Sequence, residues 1–374
     1  MAQFDENVTI TPPPQRRMSR ATLVGVWALV VALVVLLVLT FLPTSYVIQQ
    51  PGPVYNTLGT ALAADGKQVP LISVDGAKTY PTDGMLDLLT VQLAGNREKT
   101  PSWLELATAW FDPSKAVLPI DAIFPVGETT EQRNQESAAM MVDSQNEATA
   151  AALTELGYDV NAKIVVHSLT GDSAAKGILQ EGDVVLEADG TAVTDAEPLR
   201  KIVNKGAGAP IQMLIERDGA KQTVSVTPKQ TTINGQKLWL IGVTLTTAYD
   251  FPFQVTIQLN NVGGPSAGMM FALGIMDVLT PGELNGGKNV AGTGTITADG
   301  TVGPIGGIRQ KMWGALDAGA DWFLAPDSNC DEVVGHIPGD LRVFAVDNLD
   351  DSLKVLETIR DGGDLNALPT CTTK

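Results

Sequence analysis

Histidine is nearly absent: His167 and His336 are the only two in 374 residues. That removes the commonest proton acceptor of hydrolytic sites. It also removes zinc chemistry, since no HExxH occurs and no group of cysteines and histidines has ligand spacing. Metal and cofactor requirements are both read as none. Cysteine is as scarce, with Cys330 and Cys371 alone. They read as a buried residue and a free thiol near the tail; a disulfide is allowed outside a reducing compartment, but nothing in the sequence calls for it. Positive charge is short as well, with 25 Lys and Arg against 42 Asp and Glu, a net of −17. Arg16, Arg17 and Arg20 outnumber Asp5 and Glu6 in the first 20 residues, so the remaining body carries −18. So acidic a body repels nucleic acid and anionic headgroups, and nucleic acid is excluded as a partner.

The sharpest absence is of any charge between Ala21 and Leu42, "ATLVGVWALVVALVVLLVLTFL". Twenty-two such residues span the roughly 30 Å core of a bilayer. The run exceeds a signal-peptide core and no A-x-A site follows, so it reads as an uncleaved single-pass anchor. Arginines precede it, and the next charge after it is Asp65. Basic residues stay inside, which predicts a cytoplasmic N-terminus and an extracytoplasmic body at the cell membrane.

Beyond the anchor, residues 44–100 alternate or run apolar between Gly, Pro and Asp turns, a β-rich pattern. "SWLELATAWF" is a short helix, and "ESAAMMVDSQNEATAAALTEL" predicts a helix over Glu136–Leu156 with Gly157 past its end. From Lys163 the chain reads strand, small-residue turn, "GILQEGDVVLEADG", a helix from about Asp195 to Lys205, and a hairpin turning at Asp218-Gly219. This order resembles a PDZ domain of the bacterial periplasmic-protease type, carried by Gly177, Gly182-Asp183 and Asp189-Gly190. The resemblance implies binding of an extended peptide by strand addition. Its carboxylate-binding loop is placed at Gly157–Val160.

In "NVGGPSAGMMFALG", Ser266 stands among glycines where an apolar helix begins. Helix N-termini offer free N–H groups to an oxyanion. A serine still needs a base, and histidine is lacking. Lys311 lies in the first turn of a helix predicted over Ile308–Ala318, where a cation is disfavoured. Buried there, it can be neutral near pH 7 and take the serine proton.

"GPSAG" at 264–268, "TG" at 293–294 and "PIGGIRQK" at 304–311 resemble the proteolytic domain of Lon-type Ser–Lys peptidases. The resemblance covers residues 253–346. It implies Ser266 as nucleophile and Lys311 as base, with Thr293 and Gly264 auxiliary. Gly263 stands where the family often has an acid, and Arg309 and Gln310 where it has Lys and Glu. "GELNGGKN" (Gly282–Asn289) has the spacing of a phosphate loop, but Asn289 replaces the Mg²⁺-binding Ser or Thr and no strand precedes it; no nucleotide is expected.

The fold class expected is α+β: a cytoplasmic tail (1–20), a transmembrane helix (21–43), a Lon-type domain in two parts (44–157 and 231–374) and an inserted PDZ-like domain (158–230). The function expected is a membrane-tethered, ATP-independent serine endopeptidase acting on unfolded or membrane-associated proteins. The alternative is a catalytically silent PDZ scaffold. Partners are protein or peptide substrates and the membrane; a homo-oligomer stays open.

Overall fold

The computed structural model describes residues 19–63, 66–125, 127, 129–194, 196–233, 236–259 and 262–373. The expected tail, with Arg16 and Arg17, lies outside the described residues. The chain divides into two compact units, residues 1–50 with 93–128, and residues 51–92 with 129–374.

The first unit begins with the helix Arg20–Phe41, capped by Ser19, whose hydroxyl accepts from Thr22 N–H. Its mean hydropathy is 3.0 and none of it is buried; among the described residues it is the one helix long and apolar enough to cross a membrane. At 1.5 Å per residue it reaches roughly 33 Å. The strand that follows pairs antiparallel with Ala116–Pro119, from Tyr46↔Pro119 to Gln49↔Ala116. Strand alternation sends Val47 and Ile48 to opposite faces. Val47 packs with Ile120 and Phe124, and Ile48 with Leu106 and Ala109 of the helix Trp103–Trp110.

In the second unit a sheet runs in the order Arg342–Val346, Trp322–Pro326, Asn289–Gly292, residues 85–92, residues 51–56. Asn289–Gly292 is parallel to both Met85–Leu88 and Trp322–Leu324. Strands from before and after the PDZ-like segment therefore share one sheet. Leu86 and Leu88 face a core built on the helices Thr130–Glu155, Gly268–Leu279 and Leu349–Asp361. Leu89 faces the other way, onto the helix Ile308–Asp317.

The helix Gly268–Leu279 is apolar on all sides because it is enclosed on all sides; apart from Val278 every residue is buried. The long helix begins at Thr130 rather than Glu136, because Thr129 and Gln132 form a capping box six residues earlier. Gly157, at φ 79°, follows its end as expected.

The PDZ-like segment forms a second sheet, ordered Ala220–Val226, Ile211–Arg217, Val184–Ala188, Asn161–Leu169, Val243–Asp250. The helix Ala196–Lys205 buries Leu199 and Val203 against it. Beyond residue 230, Val243–Asp250 pairs antiparallel along the whole of Asn161–Leu169 and forms an edge of this sheet. The Gly182-Asp183 motif has a structural cause. Asp183, 1% exposed, accepts from Arg217 Nε and Nη2 at 2.6 Å each and from Gln180 N–H at 2.8 Å.

Cys330 and Cys371 are joined by a disulfide with Cα atoms 4.9 Å apart. The expectation of a free tail thiol is therefore corrected. The tail returns to the sheet, with Ala345 N–H donating to Pro369 O and Leu368 buried, and this brings Cys371 to Cys330.

Candidate active site

Two neighbouring elements aim the two functional side chains at each other. Gly264, at φ 85°, turns the chain so that Ser266 arrives one residue before Ala267, the N-cap of Gly268–Leu279. Gly264 N–H donates to Ser137 O at 2.8 Å, and Ser144 Oγ donates to Pro265 O at 3.0 Å. The long helix thus cradles the turn. It also explains Gly263: a Cβ there would come within 2.7 Å of Ser137 Cβ. The acid that the resemblance puts at this position has no room.

Gly307, at φ 70°, is the left-handed N-cap of Ile308–Asp317. The loop before it is clamped by Asn329, 3% exposed, which accepts from Ile305 N–H and donates to Ile305 O, both at 2.9 Å. From this helix Lys311 points inward at 1% exposure. Its Nζ donates to Ser266 Oγ at 2.7 Å and to Thr293 Oγ1 at 2.8 Å. Thr293, fully buried, donates its own hydroxyl proton to Ser266 O at 2.9 Å. It can therefore only accept from Lys311, which holds one N–H and turns the amine toward Ser266. The structure brings Ser266, Lys311, Thr293 and Gly264 into one site.

Burial without a countercharge pushes the Lys311 ammonium down to about 7. Its place in the first turn of a helix acts in the same direction. Ser266 is half-buried, so the amine is hidden and the hydroxyl reachable. Arg309 is exposed and donates from Nε to Glu332 O, away from the pair, while Gln310 is buried.

The helix mouth is less open than the sequence suggests. Gly268 N–H is taken by Pro265 O and Met269 N–H by Gly294 O. Among the described residues, Ser266 and Ala267 N–H have no backbone acceptor, which leaves these two for an oxyanion. Ser137, Ser144 and Asn329 escaped the sequence reading because each acts across a large separation, and a serine in a helix or an asparagine after a strand has no local signature.

A second concavity of about 420 Å³ lies between the helix Ala196–Lys205 and residues Leu240–Leu245. Ile241 O accepts from Ala175 N–H and Ser173 Oγ, and Gly242 O accepts from Thr170 N–H. In a trans peptide the N–H points opposite the C=O. The Gly242 and Val243 N–H groups consequently face away from the 170–175 loop, on the groove side. The expected carboxylate loop at Gly157–Val160 is not part of this groove; those residues connect the long helix to the strand at Asn161, and Tyr158 stacks edge-on against Phe253. Among the described residues no group of three His, Cys, Asp or Glu could hold a metal ion. The Gly282–Asn289 loop is closed on itself, with Asn285 Nδ2 donating to Lys288 O and Met85 O.

Residues 260–358 match the Lon protease (S16) C-terminal proteolytic domain, and residues 118–227 match the PDZ domain. The chain thus carries one segment that matches a Lon proteolytic domain and one that matches a PDZ domain. It is similar to Lon protease of Campylobacter concisus, 32% identical over 148 residues, covering 38% of this chain and 18% of that one. Lon protease of Helicobacter pylori is 28% identical over 57% of this chain and 24% of its own length. Zinc metalloprotease RasP of Geobacillus kaustophilus is 35% identical over 23% of this chain and 21% of its own. The chain matches only about a fifth of these relatives' lengths. A solved PDZ domain of an SdrC-like protein from Listeria monocytogenes is 22% identical, with a TM-score of 0.20, over 22% of this chain and 85% of that one.

Proposed function

We propose that this chain is a membrane-tethered serine endopeptidase that works through a Ser266–Lys311 dyad without ATP, cleaving unfolded or membrane-associated proteins outside the cytoplasmic membrane. One observation carries the reading: a lysine amine, buried with no countercharge, lies 2.7 Å from a half-exposed serine hydroxyl. Neutral Lys311 takes the Ser266 proton as Oγ attacks a peptide carbonyl. The oxyanion faces the Ser266 and Ala267 N–H groups. The Lys311 ammonium then protonates the leaving amine, and an acyl-serine remains for water to cleave, with Lys311 again as base. Thr293 positions the amine.

In the same reading the PDZ domain runs to Asp250, and its groove takes an extended chain end. The edge Val243–Asp250 offers main-chain pairing and the Gly242 and Val243 N–H groups receive the terminal carboxylate. The helix Arg20–Phe41 is the anchor, with Arg16, Arg17 and Arg20 keeping the N-terminus cytoplasmic.

A fluorophosphonate probe tests the chemistry: it should label the wild type, without nucleotide, and leave Ser266→Ala unlabelled. Equal labelling of both removes Ser266 from the role, and no labelling of either favours a silent scaffold. Protease added to intact spheroplasts should digest the body beyond the anchor; a protected body reverses the topology.

A further inference from the structure

The first unit carries apolar surface that its own core leaves unused. On the helix Trp103–Trp110 the inward residues are Leu106 and Ala109. At about 100° per residue, Trp110, Ala107, Phe111 and Leu104 fall on an arc of roughly 120° beside them, within which Trp103 packs on the unit's own core. Phe111 is 90% exposed, Trp110 60% and Leu104 42%. Glu105 and Thr108 alone occupy the polar sector. A helix this short, apolar on two sides, has one side on the protein and needs a partner for the other.

The position of the arc says which partner. Pro43, just past the apolar helix, forms a β-bridge with Ser102. Thr44 N–H donates to Thr100 Oγ1 at 3.2 Å, and Thr44 Oγ1 donates to Pro101 O at 2.9 Å. Phe41, Leu42 and Leu104 line one concavity. The end of Arg20–Phe41 and the start of Trp103–Trp110 are thus stitched together, and at Leu104 the unused apolar face adjoins the exposed Phe41 and Leu42. Trp and Phe at the boundary of a membrane-spanning helix suit the headgroup region, which accepts amphipathic rings.

We propose that Leu104, Trp110 and Phe111 dip into the surface of the bilayer at the end of the apolar helix, so that Trp103–Trp110 is an interfacial foot. This rests on the reading of Arg20–Phe41 as a membrane anchor. Charge does not drive the attachment. Between Leu93 and Pro125, Arg97, Lys99 and Lys115 are set against Glu98, Glu105, Asp112 and Asp121. Insertion is therefore indifferent to anionic lipid, unlike that of a basic amphipathic helix. The foot ties the first unit to the membrane at a second point and limits its swing about the anchor.

The test uses the full chain in phosphatidylcholine nanodiscs. Phe111→Cys carries an environment-sensitive fluorophore, with Ile337→Cys, in the second unit and 43% exposed, as control. Cys330 and Cys371 are bonded to each other, so the new thiol alone takes the label. The label at 111 should be blue-shifted and should lose most of its emission when the lipids are brominated on their acyl chains, equally with and without added phosphatidylglycerol. The label at 337 should stay water-like. Water-like emission at 111 in an incorporated chain overturns the foot and leaves the anchor standing. A blue shift that bromolipids do not quench, and that grows with chains per disc, overturns it in favour of a second copy. A chain that never enters the discs overturns both readings.

Discussion

Lys311 and Asp183 are each 1% exposed in the second unit, yet burial has opposite consequences for them. For Asp183 burial favours the neutral acid, but Arg217's two hydrogen bonds and its charge outweigh that and hold the carboxyl below its usual range. Among the described residues Lys311 meets only hydroxyls, so burial acts unopposed and brings the ammonium to about 7. A paired buried charge is a rivet; an unpaired amine is free to lose its proton near neutral pH. Gly263 belongs to the same contrast. A side chain there would meet Ser137 before anything else, so the position carries no carboxylate.

The strongest way to break the comparison is to make Lys311 permanently charged. Lys311→Arg cannot deprotonate near neutral pH, so kcat/KM on an unstructured protein should fall by about 10²–10⁴. In the wild type, activity should rise with pH through about 7 as the amine becomes neutral. A Lys311→Arg enzyme retaining a tenth of wild-type activity, or a flat profile, would mean another group takes the serine proton.

Removing the rivet comes next. Arg217→Ala strands Asp183 buried and unpaired, and the melting temperature should drop by roughly 5–10 °C. Replacing both members with apolar residues should recover most of that loss. If the single change is harmless, Asp183 is not the fixed charge described above.

A smaller effect of opposite sign belongs to Lys311→Met. Below about pH 7 the lysine is charged in both folded and unfolded chains, so its desolvation cost is present in full. Above 10.5 it is neutral in both and the cost is gone. In between, the unfolded chain binds the extra proton, so wild-type stability rises with pH. The methionine variant should be inactive yet more stable below pH 7, by on the order of 1–3 kcal/mol, and lose that advantage toward pH 10.5. Denaturant melts at three pH values read this directly. A methionine variant no more stable below pH 7 would show that the amine was never costly to bury.

How much of this was legible in the sequence depended on distance along the chain. Ser266 and Lys311 each sit in a short glycine-rich stretch with local geometry of its own, so both positions could be read before their 2.7 Å separation was known. The Asp218-Gly219 hairpin and the stop at Gly157 are equally local. The edge strand Val243–Asp250 was not legible, because its partner lies some eighty residues earlier and nothing between them sets the register. Thr129 and Gln132 did carry a readable capping signal, which the alanine-rich run downstream overshadowed. The disulfide depends on the return of the tail to the sheet, a tertiary event that two isolated cysteines cannot announce.

Glu147 sharpens the comparison from between its extremes. It is a carboxylate on the long helix with two neutral donors and, among the described residues, no cation: Tyr249 O–H at 2.6 Å from Oε1 and Ala298 N–H at 2.6 Å from Oε2. Burial, then the Glu147 carboxylate, pushes the Tyr249 phenol well above its usual range, so it stays a donor at any working pH. Tyr249→Phe should cost about 1 kcal/mol, the net worth of one hydrogen bond, since Ala298 still holds the other oxygen. Glu147→Ala should cost more, because it leaves two half-buried donors without their acceptor. Neither change should move short-peptide kcat/KM by more than about twofold, since losing one such bond at the tip of a hairpin shifts no catalytic atom directly. The hairpin Thr295–Ile296/Val302–Gly303 has its own ties through Val302 N–H to Asp347 O, and Thr293 is fixed by Leu324 O and Ser266 O. Tyr249 lies on the edge strand beside the proposed peptide groove and Ala298 on a loop reached directly from Thr293. A Tyr249→Phe enzyme that keeps its stability but loses peptidase activity would therefore show that the Tyr249–Glu147–Ala298 chain transmits the state of the groove to the dyad, and that a carboxylate with only neutral partners serves as neither rivet nor base but as a link.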